Sequence, residues 1–149
     1  VKRAGEEAMI EIYRVKTEQE MKIVRDIRME VFVGEQGVPV ELEMDGLDDE
    51  AIHVFALVDG APAGCARMLL HGEEAKIGRV AVKKSMRRYG LGTGMCKLLF
   101  SIAKEAGVKK INIGAQLTAV DFYETLGFEK EGGVFLEAGI AHVKMFRFI

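Results

Sequence analysis

IGRVAVKKSMRRYGLGTGMCKLLFSIAKEA, residues 77–106, joins an apolar strand to an amphipathic helix through a basic, glycine-rich turn, and the fold hangs on that join. Residues 77–82 are short, apolar and rich in β-branched side chains, the pattern of a buried strand. Farther on, Leu91, Met95, Leu98, Leu99, Ile102 and Ala106 recur at helical spacing and leave Lys97, Ser101, Lys104 and Glu105 on the other face. Gly90, Gly92 and Gly94 crowd the first turn, although each costs about 0.8–1 kcal/mol relative to alanine inside a helix. Access is one reason for them: bare backbone N–H groups at a helix N-terminus can reach an anion, which the helix dipole also favours. The other is close packing of the helix start on a strand. Lys83, Lys84, Arg87 and Arg88 would add cationic partners for phosphate, so the turn predicts a pyrophosphate cradle.

Spacing separates the nucleotide cradles. A P-loop needs Lys-[Ser/Thr] after its last glycine, and no Ser or Thr follows Lys97. A Rossmann fingerprint needs a small residue where Met95 stands. What remains is [QR]-x-x-G-x-[GA], met by Arg87-Arg88-Tyr89-Gly90-Leu91-Gly92 and followed by Thr93 and Gly94.

The rest of the chain bounds the possibilities. Its 149 residues fit one domain, residues 1–149, with a proper core; 49% hydrophobic and 30% charged residues are ordinary for a globular protein. A net charge of −2 gives no bulk basicity for nucleic acid, and the basic cluster is local. No apolar run approaches a membrane span and no signal-peptide pattern opens the chain, so the expectation is a cytoplasmic protein with no membrane partner. Cys65 and Cys96 lack metal-ligand spacing and read as reduced core residues, with no metal expected. The polar opening, residues 1–8, is set aside from the fold.

In chain order, residues 10–15 alternate as an edge strand. Thr17 and Glu20 form a capping box, and Met21, Val24, Ile27, Arg28, Val31 and Phe32 mark one face of a helix ending near Gly34. Residues 35–50, EQGVPVELEMDGLDDE, lose all periodicity and predict a long acidic loop, or a loop with a short helix, facing substrate or solvent. Strands at 53–58 and 62–70 join at Asp59-Gly60, a strong hairpin signal, and a third strand returns over 75–82. After the central helix come a strand at 110–115, a helix at 118–126 closed by Gly127, a strand at 128–131 broken by Gly132-Gly133, and a terminal strand at 141–149. If His71 pairs with Ala75, Arg67 stands opposite Arg79, and like charges so placed need an anion. That anion is either an acidic residue of 35–50 folded back over them or a carboxylate or phosphate on a substrate.

A second motif lies in Gln116–Phe128, QLTAVDFYETLGF, where Ala119, Phe122, Tyr123, Gly127 and Phe128 meet A-x-x-[FL]-Y-x-x-x-G-F. Together with the Arg87–Gly92 pattern it resembles the GNAT superfamily of N-acetyltransferases over nearly the whole chain. More narrowly, VFVGEQGVPVELEMDGLDDEAIH, Arg67, IGRVAV and GIAHVKM look like the ElaA-like branch. The resemblance implies an α/β fold with a mostly antiparallel central sheet and helices on both faces, splayed beside the central strand. It also implies acetyl-coenzyme A as donor and direct transfer to the amine of a small molecule. Val80, Ala81 and Val82 would pair with the pantetheine amides and hold the oxyanion, residues Arg87, Arg88, Tyr89, Gly90, Leu91, Gly92, Thr93 and Gly94 the pyrophosphate, and Phe122 would border the cofactor. Gln116 stands where many relatives have Asn, which puts that pantetheine contact in question. Tyr123 would protonate the leaving thiolate, since a phenol near ~10 outlasts a thiol near ~8.5 as a proton carrier. The base that takes the amine's proton is open among Glu35, Glu41, His53 and His142; Arg67 and Arg79 stay candidates for an anionic acceptor group. A second function class is also open, an acyl-coenzyme A-binding sensor or interaction module without turnover, as is assembly into a homodimer.

Overall fold

The computed structural model describes residues 7–149, so most of the opening set aside above, residues 1–6, lies outside the described residues. Seven strands build one sheet: β1 (Ile10–Arg14), β2 (Ile52–Val58), β3 (Ala61–His71), β4 (Glu74–Val82), β5 (Lys110–Gln116), β6 (Glu129–Glu137) and β7 (Ile140–Phe148). Their order is β1-β2-β3-β4-β5-β7-β6, and every neighbouring pair is antiparallel except β4 and β5. β1 takes an edge. Asp59 and Gly60 both have positive φ, the turn that the hairpin signal demands.

Helices cover both faces. α1 (Glu18–Arg28) starts at Thr17 with the capping box to Glu20 in place. Its Met21, Val24 and Ile27 pack on Phe55, Cys65 and Ala81. On the other face, α3 (Leu91–Glu105) buries Leu91, Met95, Cys96 and Leu99 against Val54, Ala56, Met68 and Ile77, and the short α4 (Val120–Thr125) adds Val120 and Tyr123. Alternate residues of β2 thus feed two cores, as strand periodicity requires. Both cysteines are buried and free, and burial pushes each thiol up to about 12. No helix among the described residues is long and apolar enough to cross a membrane.

Three expectations change. The helical run ends beside Gly34 as expected, but its last stretch, Met29–Glu35, is a π-helical turn rather than α-helix, closed by Gln36 N donating to Val31 O at 3.0 Å. Such turns swell a helix locally and re-aim its last residues, here toward the sheet's open end. Residues 35–50, by contrast, are the expected loop with a short helix, α2 (Val40–Glu43), followed by a 3₁₀ turn at Asp48–Glu50. Gly132-Gly133 does not stop β6; Gly132 at φ 79° absorbs a bulge between Glu131 and Val134, and the strand runs on to Glu137. The β3–β4 register also differs by one: His71 pairs with Glu74 and Arg67 with Gly78, because a bulge at Arg79, φ 50°, restores the expected register only at Cys65 and Ala81.

Candidate functional site

β4 and β5 pair only from Glu74–Lys110 to Ile77–Ile113. Beyond that the strands part, so the second half of β4, Gly78 to Val82, keeps its β3 partner on one side and has none on the other. Backbone donors and acceptors on such an edge need partners, and an extended amide chain could supply them. Val80, Ala81 and Val82 all lie on this stretch.

The basic turn follows directly. Gly90 caps α3 in the left-handed region, φ 69°, with open space around the position its Cβ would take, and no side chain caps the helix. A 15-residue helix therefore presents its first N–H groups uncapped beside an unpaired strand edge. These features fit a coenzyme A diphosphate and pantetheine. The three glycines turn out to serve different ends. A Cβ on Gly92 would meet the Phe122 ring at 3.0 Å, and one on Gly94 would overlap Ile12 Cδ1 at 2.3 Å. Gly94 is thus a close-packing glycine against β1, and Gly90 is explained by its left-handed φ.

The cations divide as well. Arg87 forks Glu35, with Nη1–Oε2 2.7 Å and Nη2–Oε1 2.6 Å, while its Nε donates to Val82 O at 3.0 Å. The Arg87 guanidinium holds the Glu35 carboxyl below the usual range. Arg88 folds back instead, with its guanidinium 5.0 Å from the Tyr89 ring centre and Nη1 near Ser85 O. Next to Glu35, Gln36 Oε1 accepts from Gln116 Nε2 at 2.9 Å. Residues 35 and 36 therefore tie the turn after β4 to the end of β5, across the mouth of the splay.

Tyr123 sits below the cradle. Its ring meets Phe122 and Phe128 edge-on at 4.9 and 5.8 Å, and burial, with Cys96 close by, pushes its hydroxyl well above the ordinary tyrosine range. A group so placed stays protonated at neutral pH and can give a proton only to a strong local base.

Other candidates gather elsewhere. Arg67 and Arg79 are not cross-strand partners, yet both reach Asp45: Arg67 through a fork with Nη1–Oδ1 2.9 Å, Arg79 through Nη2–Oδ2 3.2 Å. Arg28 Nε donates to Glu43 Oε1 at 2.5 Å and Nη1 to Asp48 Oδ1 at 2.7 Å, and Asp48 also takes Arg67 Nη1 at 3.0 Å. Arg79 Nε lies 3.1 Å from Glu43 Oε2, close enough for an ion pair but without hydrogen-bond alignment. So the acidic segment folds back over both guanidinium groups. His53 joins this cluster, Nε2 at 2.9 Å from Asp48 O, and burial holds its imidazole below the usual range despite Asp48. Glu41 rides on α2, exposed. His142 stands apart, opposite Gln116 on β7, with Nδ1 2.6 Å from Ile140 O. Gln36, Phe135 and Glu137 were invisible as site residues because only strand register and the π turn bring them near. A surface concavity of about 680 Å³, bordered by Phe100, Gly127 and Arg147, opens away from the splay and plays no part here.

Comparison with known proteins agrees with the geometry. Residues 13–147 match the family described as "Acetyltransferase (GNAT) domain". The Bacillus subtilis protein named "Uncharacterized N-acetyltransferase YjcF" is 37% identical over 136 residues, covering 89% of this chain and 95% of that one. Among solved structures, an acyl-CoA N-acyltransferase from Pseudomonas aeruginosa superposes with a TM-score of 0.82 at 29% identity, over 93% of this chain and 99% of the other. Escherichia coli ElaA gives the same TM-score and coverage at 26% identity. With an uncapped helix beside a half-unpaired strand, and a match that spans both, this chain belongs to the GNAT acetyltransferase family.

Proposed function

We propose that this acyltransferase moves an acetyl group from acetyl-coenzyme A directly to the amine of a small molecule, residues 1–149 acting as one domain with Tyr123 as proton donor. The observation that carries the reading is the free edge of β4 from Gly78 to Val82, running into the uncapped start of α3. Bound acetyl-coenzyme A supplies an activated acetyl thioester and departs as a thiol. The protein's part is to hold and to manage protons. Backbone groups of Val80–Val82 extend the sheet to the pantetheine amides and one N–H receives the developing oxyanion. The N–H groups of Leu91, Gly92 and Thr93 and the Arg87 guanidinium take the diphosphate, whereas the Gly94 N–H already donates to Gly90 O at 3.2 Å. Gln116, held by Gln36, borders the same arm, and Phe122 walls the site beside Gly92. Tyr123, kept neutral by burial, gives its proton to the sulfur.

A panel of small amines incubated with acetyl-coenzyme A, read by release of free thiol, tests this. Tyr123→Phe should keep acetyl-coenzyme A binding and lose about 10²–10⁴-fold in turnover, the usual contribution of a positioned acid. Tight binding without turnover on any amine would leave an acyl-coenzyme A sensor; wild-type turnover in Tyr123→Phe would reduce Tyr123 to a packing residue.

A further inference from the structure

On the α1 side of the sheet, beyond the reach of α1, β5, β7 and β6 leave one face open toward the splay. Cross-strand register sets Gln116, His142 and Phe135 in a row on that face. The side chains of β6 lean over it: a Cβ on Gly114 would meet Phe135 Cζ at 3.6 Å and Glu137 Oε2 at 3.9 Å. His142 is thus gathered with Phe135 and Glu137 over the free end of β5, beside the Gln36–Gln116 tie. Phe135 stacks on the imidazole, ring centres 5.7 Å apart and planes 24° from parallel.

The ring's orientation decides its chemistry. Nδ1 lies 2.6 Å from Ile140 O, and a carbonyl only accepts, so Nδ1 carries the hydrogen. The lone pair of the neutral ring is therefore on Nε2, and Nε2 stands 3.6 Å from Glu137 Oε2. A proton arriving there completes an ion pair. We propose that His142, backed by Glu137, accepts the proton of the acceptor ammonium on Nε2, and that the amine is received on this β5-β7-β6 face between Phe135 and the strap at residues 35 and 36. The inference rests on the acetyltransferase reading.

Of the other candidate bases, His53 is wired to Asp48 inside the arginine cluster, Glu41 stands exposed on α2, and Glu35 faces the basic turn, where Arg87 forks it. Around His142 the charged groups are few: Glu137 from β6, then Lys144 two residues along β7, itself paired with Glu131 of β6 at 3.6 Å. Gln36 and Gln116, the neighbours from the strap and β5, are uncharged. Protons and electrons balance. One ammonium proton passes to Nε2, the freed nitrogen bonds the acetyl carbon as the carbon–sulfur bond breaks, and the sulfur takes the Tyr123 proton. The amide nitrogen then sheds its second proton, so that of the two protons lost by the ammonium one restores Tyr123 through solvent and the other, released from His142, goes to bulk water.

His142→Asn tests it, because the Asn amide can still donate to Ile140 O while the basic nitrogen is gone. The expected result is a folded variant with wild-type acetyl-coenzyme A binding by calorimetry and turnover lowered about 10²–10⁴-fold at neutral pH. Its rate should climb with pH as hydroxide supplies the free amine, and His142→Ala should regain activity with added imidazole. Glu137→Gln should lose turnover by a smaller factor with unchanged cofactor binding. Wild-type turnover and pH profile in His142→Asn overturn the assignment while leaving the acetyltransferase reading intact. A wild-type protein inactive on every amine removes the reading and this inference with it.

Discussion

Residues 35–50 are held at both ends by arginine–carboxylate contacts, and the two ends are built on opposite terms. At the far end, Arg28, Arg67 and Arg79 face Glu43, Asp45 and Asp48 in a cluster where Arg28 and Glu43 are only 3% and 4% exposed. At the near end, Arg87 and Glu35 make an isolated fork with both side chains more than a third open to water. The first arrangement desolvates charges and then satisfies nearly all of them, which commits the loop to one position. The second has ideal geometry yet can exchange its anion for another at little cost. The difference separates arginines that fasten the fold from one that is free to meet a ligand.

Breaking the buried cluster should have the largest effect. Arg28→Met strips Glu43 and Asp48 of their shared partner while leaving both carboxylates enclosed, and a loss of about 3–5 kcal/mol in denaturant unfolding is expected. Arg28→Met combined with Glu43→Leu should lose less than Arg28→Met alone, because the charge most deeply stranded is gone too. If both variants unfold at the wild-type urea midpoint, the cluster does not fasten the loop.

Acid should separate the two ends next. Arg67 holds the Asp45 carboxyl far below the ordinary aspartate range; at Asp48 burial pushes upward but Arg28 and Arg67 prevail, so it too is lowered. A carboxylate depressed in the folded state contributes stability that is present above the unfolded pKa and lost as pH falls through the folded one. That loss should begin near ~4. His53, lowered by burial, must gain a proton on unfolding, so a gentler decline should already start below ~6.5. Unfolding free energy measured from pH 7 to 3 should show both slopes, and Arg67→Met should flatten the lower one. A wild-type curve level across this range would contradict the cluster as described.

Much of this was legible from residues alone, for identifiable reasons. Periods of two and 3.6 placed the strands and the helices α1 and α3, and Thr17, Glu20, Asp59 and Gly60 marked ends through local hydrogen bonds and backbone preference. Arg28 was itself a signal: an arginine on the apolar face of a helix needs a buried anion, and the acidic segment just downstream supplies two. What could not be read were positions set by bulges. One extra residue at Arg79 shifts Arg67 onto Gly78, and the bulge at Gly132 carries β6 far enough to bring Phe135 and Glu137 over β5. Glycine carries no label for its reason either; Gly94 answers to Ile12, across the sheet, which no local pattern announces.

The smallest change in stability should come from the exposed fork, and it is the most telling about function. Glu35→Gln removes the charge that Arg87 grips but leaves a polar group of the same shape, and an isolated surface pair contributes only about 0–1 kcal/mol. Thermal unfolding should therefore barely move. Cofactor affinity should move more. If Arg87 turns to a diphosphate, it must first leave Glu35, so the wild-type protein binds acetyl-coenzyme A against an internal competitor. Removing that competitor should tighten binding by several-fold at low salt, and the gain should shrink as salt screens the pair. Arg87→Gln should weaken binding whether or not Glu35 is present. Calorimetric titration of wild type, the two single variants and the double variant decides the matter. Equal affinities for wild type and Glu35→Gln would mean that the fork persists with the ligand bound, and that Arg87 fastens residues 35–50 at the near end as Arg28 does at the far one.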